Sequence, residues 1–322
     1  MTRFSLLTLP EVSVLSRRMA TLSVVAVILV TATSCTATVP SDQLEVAETV
    51  DMCAAAAAPG VASDAVEATG EIGTSASATF ASPLAVTSTE RTVLVEGDGR
   101  EVTGTDIVDY ALTVYDATSG GLISQEGYTG PPQLPLAAAT IGPILGCARV
   151  GSRVVAVMPE TDQGGPTVWV LDVRSASPAI ATGAPQAVPD GMPTVTLSEG
   201  GVPTITVPNA EPPAEVELAV LKKGDGPLVA AGDTVLLQYS GVRWSNGKVF
   251  DASWSKGAPA TLTTTDVIEG YRPALEGQTI GSQVLVVIPP ASAYGEGAIN
   301  DTDLTGETLV FVVDLLASAP PR

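Results

Sequence analysis

The chain has 322 residues, 15 of them basic and 35 acidic, for a formal charge of −20; such a balance repels phosphate backbones and removes nucleic acid from the partners to consider. Histidine is absent, which excludes Ser-His-Asp and Cys-His catalysis and any His-containing metal site. Neither an EF-hand loop nor a Gly-rich phosphate loop ending in Lys and Ser or Thr is present, so no metal and no cofactor is implied. The length accommodates two domains of roughly 100–150 residues and a leader.

Arg17 and Arg18 precede an apolar run from Met19 to Ala32, and the small residues Ala32, Thr33 and Ser34 lead into Cys35. The run is shorter than the roughly 20 residues a membrane span needs and has the shape of an export signal. Ala-Thr-Ser-Cys resembles the lipobox of bacterial lipoproteins. That resemblance implies a signal peptide over residues 1–34, lipid on Cys35, and a chain anchored to the outer face of the cytoplasmic membrane by its lipid alone. An ordinary cleaved signal peptide is the alternative, and the true start is either Met1 or Met19. Residues 35–60, polar and then Ala-rich, are expected to be a disordered tether. In an exported protein Cys53 and Cys147 are left either as a disulfide pair or as two buried thiols; their spacing offers no redox motif.

The chain then writes one pattern twice. GDGREVTGTDIVDYALTVYDATSGGLIS from Gly97 aligns without a gap to GDGPLVAAGDTVLLQYSGVRWSNGKVFD from Gly224, at a spacing of 127 residues. RVGSRVVAVMP, ending at Pro159, mirrors TIGSQVLVVIP, ending at Pro289, at a spacing of 130. TVWVLDV around Trp169 mirrors LVFVVDL around Phe311 at 142. A period this long signals duplicated whole domains. The Pro, Ala and Gly-rich stretch 175–191 separates a first domain over 61–174 from a second over 192–318. The segment PTVTLSEGGVPTITVP from Pro193 is taken as the counterpart of SASATFASPLAVTS from Ser75.

Within the second copy, the runs Thr234–Tyr239, Gln283–Ile288 and Thr308–Leu315, rich in Val and Leu, predict strands. Tyr271–Glu276 predicts one brief helix, with Leu275 facing inward and Gly277 ending it. The expected fold class is α+β, each domain a mostly antiparallel sheet closed over one short α-helix.

In order and spacing, GDG, GDTVLLQYSG, NGKVFDAS, DVIEGYRPALEGQTIGSQVLVVIPPASAYGEG and TLVFVVDLL, spread over residues 213 to 316, resemble the FKBP-type peptidyl-prolyl cis-trans isomerases. The resemblance implies two FKBP-like domains, each an antiparallel sheet wrapped around a short helix, with an aromatic pocket for a prolyl ring between helix and sheet in the second. By position it makes Tyr239, Phe250 and Phe311 the pocket walls and Tyr271 the floor, where the family most often has Trp. Val267 and Ile268 would line the entrance, Ile268 also offering its backbone N–H to a substrate carbonyl, and Asp251 and Tyr294 would supply polar contacts at the rim. It further implies proline-containing polypeptides as substrates, macrolides of the FKBP class as ligands, and a monomer.

Two departures from the family pattern stand out. Ala258, Pro259 and Ala260 occupy the region where the family has a Phe before the helix, and GEGAINDTDLTGE replaces its loop with His and Ile-Ile-Pro, leaving Ile299 or Leu304 to cover the pocket. The first copy departs further: Leu112 stands opposite Tyr239, Ile123 opposite Phe250 and Ser124 opposite Asp251, and no Tyr lies between Met158 and Thr167. It is read as a degenerate FKBP-like domain. The expected activity is isomerisation of X-Pro bonds in exported proteins by the second domain; the alternative is a non-catalytic surface lipoprotein that binds proteins through either domain.

Overall fold

The computed structural model describes residues 48–128, 134–162, 164–300 and 302–321. The expected signal peptide and Cys35 lie outside these residues. Among the described residues no helix is long and apolar enough to cross a membrane.

The chain enters through α1 (Met52–Ala55), whose first amides, those of Cys53 and Ala54, are capped by the Asp51 carboxylate at 3.0 and 3.1 Å. Met52 is buried in the first core, Ala57 donates its N–H to Pro143, and the carbonyl of Ala58 accepts from Arg91. Cys53 is joined to Cys147 by a disulfide. Where composition reads a tether up to residue 60, these contacts instead hold residues 51–58 against the first lobe. α2 (Val61–Asp64) follows, then a hairpin of β1 (Glu67–Thr69) and β2 (Ser77–Thr79).

The first large sheet comprises β3 (Glu90–Val95), β4 (Asp106–Asp116), β5 (Leu122–Glu126), β6 (Leu136–Ala137), β7 (Arg153–Met158) and β8 (Thr167–Pro178). All its pairings are antiparallel, in the order β3-β7-β8-β4-β5 with β6 also on β4. A 3-10 turn, Ala138–Ile141, and α3 (Gly142–Leu145) cross its concave face, where Val108, Leu112, Leu145 and Leu171 form the core.

After β9 (Ala184–Pro185) and a second hairpin of β10 (Thr194–Leu197) and β11 (Pro203–Thr206), the second sheet repeats the plan. It comprises β12 (Glu217–Lys223), β13 (Thr234–Arg243), β14 (Val249–Ala252), β15 (Ala260–Thr263), β16 (Gln283–Ile288) and β17 (Leu309–Ala319). Their order is β12-β16-β17-β13-β14, with β15 on β13 and β9 added outside β12.

The correspondence extends to irregularities. The register of β4 against β8 shifts between Asp109 and Tyr110, and that of β13 against β17 between Leu236 and Leu237, a spacing of 127 residues. The shifts of β4 on β5 at Val114/Tyr115 and of β13 on β14 at Gly241/Val242 keep the same spacing, as do those of β3 on β7 at Val93/Val95 and of β12 on β16 at Val220/Lys222. Bulges bend a strand and re-aim its side chains, so shared bulges mean shared curvature. The repeated GDG has a packing cause: a Cβ on Gly97 would lie 2.2 Å from the Val150 carbonyl oxygen, and one on Gly224 2.2 Å from that of Ile280.

Three further elements differ from the sequence expectation. The helix of the second lobe is a 3-10 helix over Glu269–Ala274, with Tyr271 bonding back to Ile268 and Leu275 to Arg272. Pro273 has no N–H to return to Glu269, which removes the α-type bond from the middle of the turn. Leu275 is nonetheless fully buried, and Gly277 ends the turn with φ of 76°. The counterpart of the β10–β11 hairpin is the β1–β2 hairpin, again 127 residues earlier, so that only β2 falls within the stretch from Ser75 to Ser88 and β1 precedes it. Period-2 alternation in short polar strands specifies register weakly, which explains the slip. Finally, the stretch 175–191 carries the end of β8 and all of β9; Ala179 is buried between Ile107 and Leu236, and Ala181 donates its N–H to Asp314.

Candidate active site

The second sheet gathers three aromatic rings around Phe311. Alternation along β13 turns Tyr239 and Gly241 to the same face, and the register sets Gly241 beside both Phe311 of β17 and Asp251 of β14. Phe311 meets Tyr271 at 4.9 Å and Phe250 at 5.4 Å, both edge to face, and Tyr239 at 6.5 Å, tilted. Those geometries suit ring quadrupoles and add to the burial of apolar area. Gly241 makes the cluster sterically feasible: a Cβ there would sit 2.7 Å from Phe311 and 2.8 Å from Phe250. Val267 and Ile268, half-buried just before the 3-10 helix, pack on the same cluster.

One edge of the cluster is polar. The Tyr239 hydroxyl donates to Asp251 Oδ2 at 2.5 Å and accepts from Lys256 Nζ at 3.0 Å, while Lys256 Nζ lies 2.6 Å from Asp251 Oδ1. The same ammonium stands 5.4 Å from the centre of the Tyr239 ring. Burial by itself pushes the Asp251 carboxyl up, but the hydrogen bonds from Lys256 and Tyr239 and the Lys256 charge outweigh it and hold the group below the usual carboxylate range. Burial and the Asp251 hydrogen bond raise the Tyr239 phenol, and bonding to Asp251 and Tyr239 raises Lys256. At neutral pH the set is therefore a neutral phenol held between a carboxylate and an ammonium. Ser253 Oγ receives the Tyr239 N–H at 2.9 Å and bonds to Gln238, which fixes the backbone beneath.

Tyr271 is buried at the floor, and its hydroxyl has no hydrogen-bond partner among the described residues. Burial raises that phenol far above its ordinary value, so it stays a neutral donor. Tyr294, in contrast, is 54 % exposed and lies outside the aromatic cluster. Of the two apolar residues in the divergent loop, Leu304 packs against the hydrophobic core that contains Tyr271 and Phe311, and Ile299 is exposed. Among the described residues, the grouping of Cys53, Glu101 and Cys147 has the spacing of metal ligands, but its two sulfurs are bonded to each other and present no thiolate.

Residues 226–316 match the family model described as FKBP-type peptidyl-prolyl cis-trans isomerase. Over 118 residues the chain is 41 % identical to an FK506-binding protein of Streptomyces anulatus, covering 36 % of this chain and 95 % of that one. It is 32 % identical over 117 residues to a probable FK506-binding protein of Corynebacterium glutamicum, covering 36 % of this chain and 98 % of that one. The chain belongs to the FKBP family of peptidyl-prolyl cis-trans isomerases. A further relative is the peptidyl-prolyl cis-trans isomerase Mip of Coxiella burnetii, 35 % identical over 102 residues, which cover 32 % of this chain and 44 % of that one.

As an FKBP-type isomerase the chain has the antiparallel, helix-poor fold of its family, and the family binds proline-containing peptides and macrolides. The structure brings together Tyr239, Phe250, Asp251, Val267, Ile268, Tyr271 and Phe311. Sequence reasoning missed Lys256, although it is the one basic residue between Lys248 and Arg272 and follows Asp251 by a single turn. It also missed Gly241, whose role emerges only when the strands are paired. In the first sheet, Leu112 pairs with Leu171 as Tyr239 pairs with Val313, but Ile123 is 56 % exposed on β5. Trp169, at the position of Phe311, turns its indole N–H to Thr167. No comparable set of rings and charges forms there among the described residues.

Proposed function

We propose that this isomerase catalyses rotation about X-Pro bonds of exported polypeptides, assisting their folding, with its active site in the second lobe. The observation that carries this reading is the convergence of Tyr239, Phe250, Tyr271 and Phe311 with the Tyr239–Asp251–Lys256 set in that lobe.

An X-Pro bond rotates over a barrier of about 18–20 kcal/mol because the planar amide is resonance-stabilised. Twisting it loses resonance and much of the amide dipole, so an apolar enclosure favours the twisted form over the planar one. The four rings provide that enclosure. The Ile268 N–H is a donor for a substrate carbonyl oxygen at its rim, and it accelerates rotation to the extent that its bond strengthens in the twisted geometry. Asp251 and Lys256 orient the Tyr239 hydroxyl; no proton transfer is needed. Slow prolyl isomerisation limits the folding of many chains, which gives such an activity its task.

The first lobe is a degenerate FKBP-like domain in this reading, keeping the frame and lacking the rings. The export leader and the lipobox-like Ala-Thr-Ser-Cys support a lipid anchor on Cys35 at the outer face of the cytoplasmic membrane. A disulfide between Cys53 and Cys147 is at home in such a compartment.

The test is a proline-isomerisation assay on the full chain. Asp251→Ala combined with Tyr239→Phe should abolish most of the acceleration while the unfolding midpoint moves little, and undiminished activity would remove the site from this lobe. Labelling with a radioactive fatty acid should mark the wild type and not Cys35→Ala; an unlabelled wild type would remove the anchor.

A further inference from the structure

We propose that Arg243 is a positioning residue of this isomerase, fastening the divergent loop between β16 and β17 against the prolyl pocket. The proposal rests on the assignment of the active site to the second lobe.

Arg243 is the last residue of β13 and lies on the same face of that strand as Tyr239 and Gly241, four and two positions behind it. Its guanidinium spans two carbonyl oxygens of the loop, Nη1 donating to Asn300 and Nη2 to Asp303, each at 2.9 Å. Glu307 lies 3.7 Å from Nη1, with side-chain exposures of 14 % for Arg243 and 1 % for Glu307. The Glu307 carboxylate in turn accepts from the N–H and hydroxyl of Ser245, at 3.1 and 2.6 Å. A buried carboxylate thus sets the fork, and the fork holds the loop.

The loop is prepared for a single attachment. Its neck is closed by the Gly306 N–H bonding to Gly295 at 2.9 Å. Near its tip, Asn300 Oδ1 accepts from the amides of Thr302 and Asp303 at 2.8 and 2.9 Å. What remains is the orientation of this closed unit relative to the sheet, and Arg243 supplies two charge-assisted bonds to it. Leu304, next to Asp303, is thereby seated against the hydrophobic core that contains Tyr271 and Phe311. A pocket wall held in place before binding spares the substrate the cost of ordering it. Arg243 acts through Leu304.

Lysine keeps a charge beside Glu307 but cannot span two carbonyls with a planar fork, so Arg243→Lys separates position from charge. In the full chain, with a short X-Pro peptide as substrate, Arg243→Lys should raise KM about fivefold, the equivalent of one lost hydrogen bond of ordinary strength, and leave kcat within about a factor of two. The Leu304 methyl signals in an NMR spectrum should move toward the values of an exposed leucine. Should Arg243→Lys fail to fold, the neutral pair Arg243→Met with Glu307→Gln removes both charges, and the same two readouts apply. An unmoved Leu304 signal, or a fall in kcat at unchanged KM, overturns the proposal. A wild type without isomerase activity overturns the assignment of the site instead, and the Leu304 signal then still decides whether Arg243 holds the loop.

Discussion

The two lobes share strand order and bulges, yet at one equivalent place, where the strand after the helix meets the final strand, they carry different chemistry. In the first, Arg153 and Asp172 form an ion pair at 2.6 Å with both side chains almost wholly buried. The guanidinium also donates to the carbonyls of Gly70 and Glu71, and Asp172 accepts the Gly73 N–H, so the pair stitches the loop of the β1–β2 hairpin to the back of the sheet. In the second, Gln283 replaces the arginine and donates to Asp314 at 2.7 Å, with the Ala181 N–H as a second donor at 2.8 Å. Burial raises the Asp314 carboxyl against those bonds and the nearby Lys222 charge.

The register of both strand pairs is the same despite this exchange, Arg153 beside Asp172 and Gln283 beside Asp314. Apolar neighbours, Val154 and Leu171 in one lobe and Val284 and Val313 in the other, hold it. The frame therefore tolerates replacement of polar groups as long as apolar volume persists. The same tolerance lets a lobe lose a ring-lined site and keep its fold.

The sharpest way to break the comparison is Arg153→Ala, which leaves Asp172 buried without its partner and should cost about 3–5 kcal/mol in denaturant unfolding. Gln283→Ala should cost only about 1–3 kcal/mol, because an amide and not a charge is lost. Equal costs would mean that the two positions are not different in kind. Next in size, replacing Cys53 and Cys147 together by Ser opens a crosslink between residues 94 apart in sequence. That should destabilise the first lobe by about 2–4 kcal/mol while kcat/KM of the isomerase stays unchanged, since the disulfide belongs to the lobe without the rings.

A third test concerns pH. With Asp251 held below the ordinary carboxylate value of about 3.9, it stays ionised as pH falls from neutrality, and the pH–rate profile should be flat until that range is passed. Lys256→Met removes the strongest opposing influence and leaves burial to push the carboxyl up, so the acid limb should move to higher pH; an unmoved limb would take Asp251 out of the active set. The smallest expected effect is Tyr271→Phe, which deletes a buried hydroxyl without a partner. It should raise stability by about 1 kcal/mol, whereas removing the bonded Tyr115 hydroxyl of the first lobe, which the Ala78 N–H reaches at 3.1 Å, should lower it.

Much of the frame is legible in the sequence. Val- and Leu-rich alternation marks β13, β16 and β17 to within a few residues, because strands buried on both faces leave an almost continuous apolar signature. The spacings of 127 and 130 between copies follow from turns that need Gly, and a steric need of that kind is written in residue identity. The alignment of the short polar hairpins and the 3-10 character of the helix are not legible in the same way, because weak alternation and one proline leave several local solutions open.

For the site, sequence order by itself determined which residues stand at the family's positions, and with them the rings of Tyr239, Phe250, Tyr271 and Phe311. Only the tertiary structure decided how they work together. Phe311 became the hub because strand pairing brings it next to Gly241, and Lys256 joined Tyr239 and Asp251 because the chain turns back after β14. Tyr294 stayed exposed and Leu304 packed on the core, while Arg243 reaches across to the loop from the far end of another strand. Steric demands act on a residue and its immediate neighbours and can be read along the chain, whereas a charged side chain finds its partner across strands that only the folded sheet brings together.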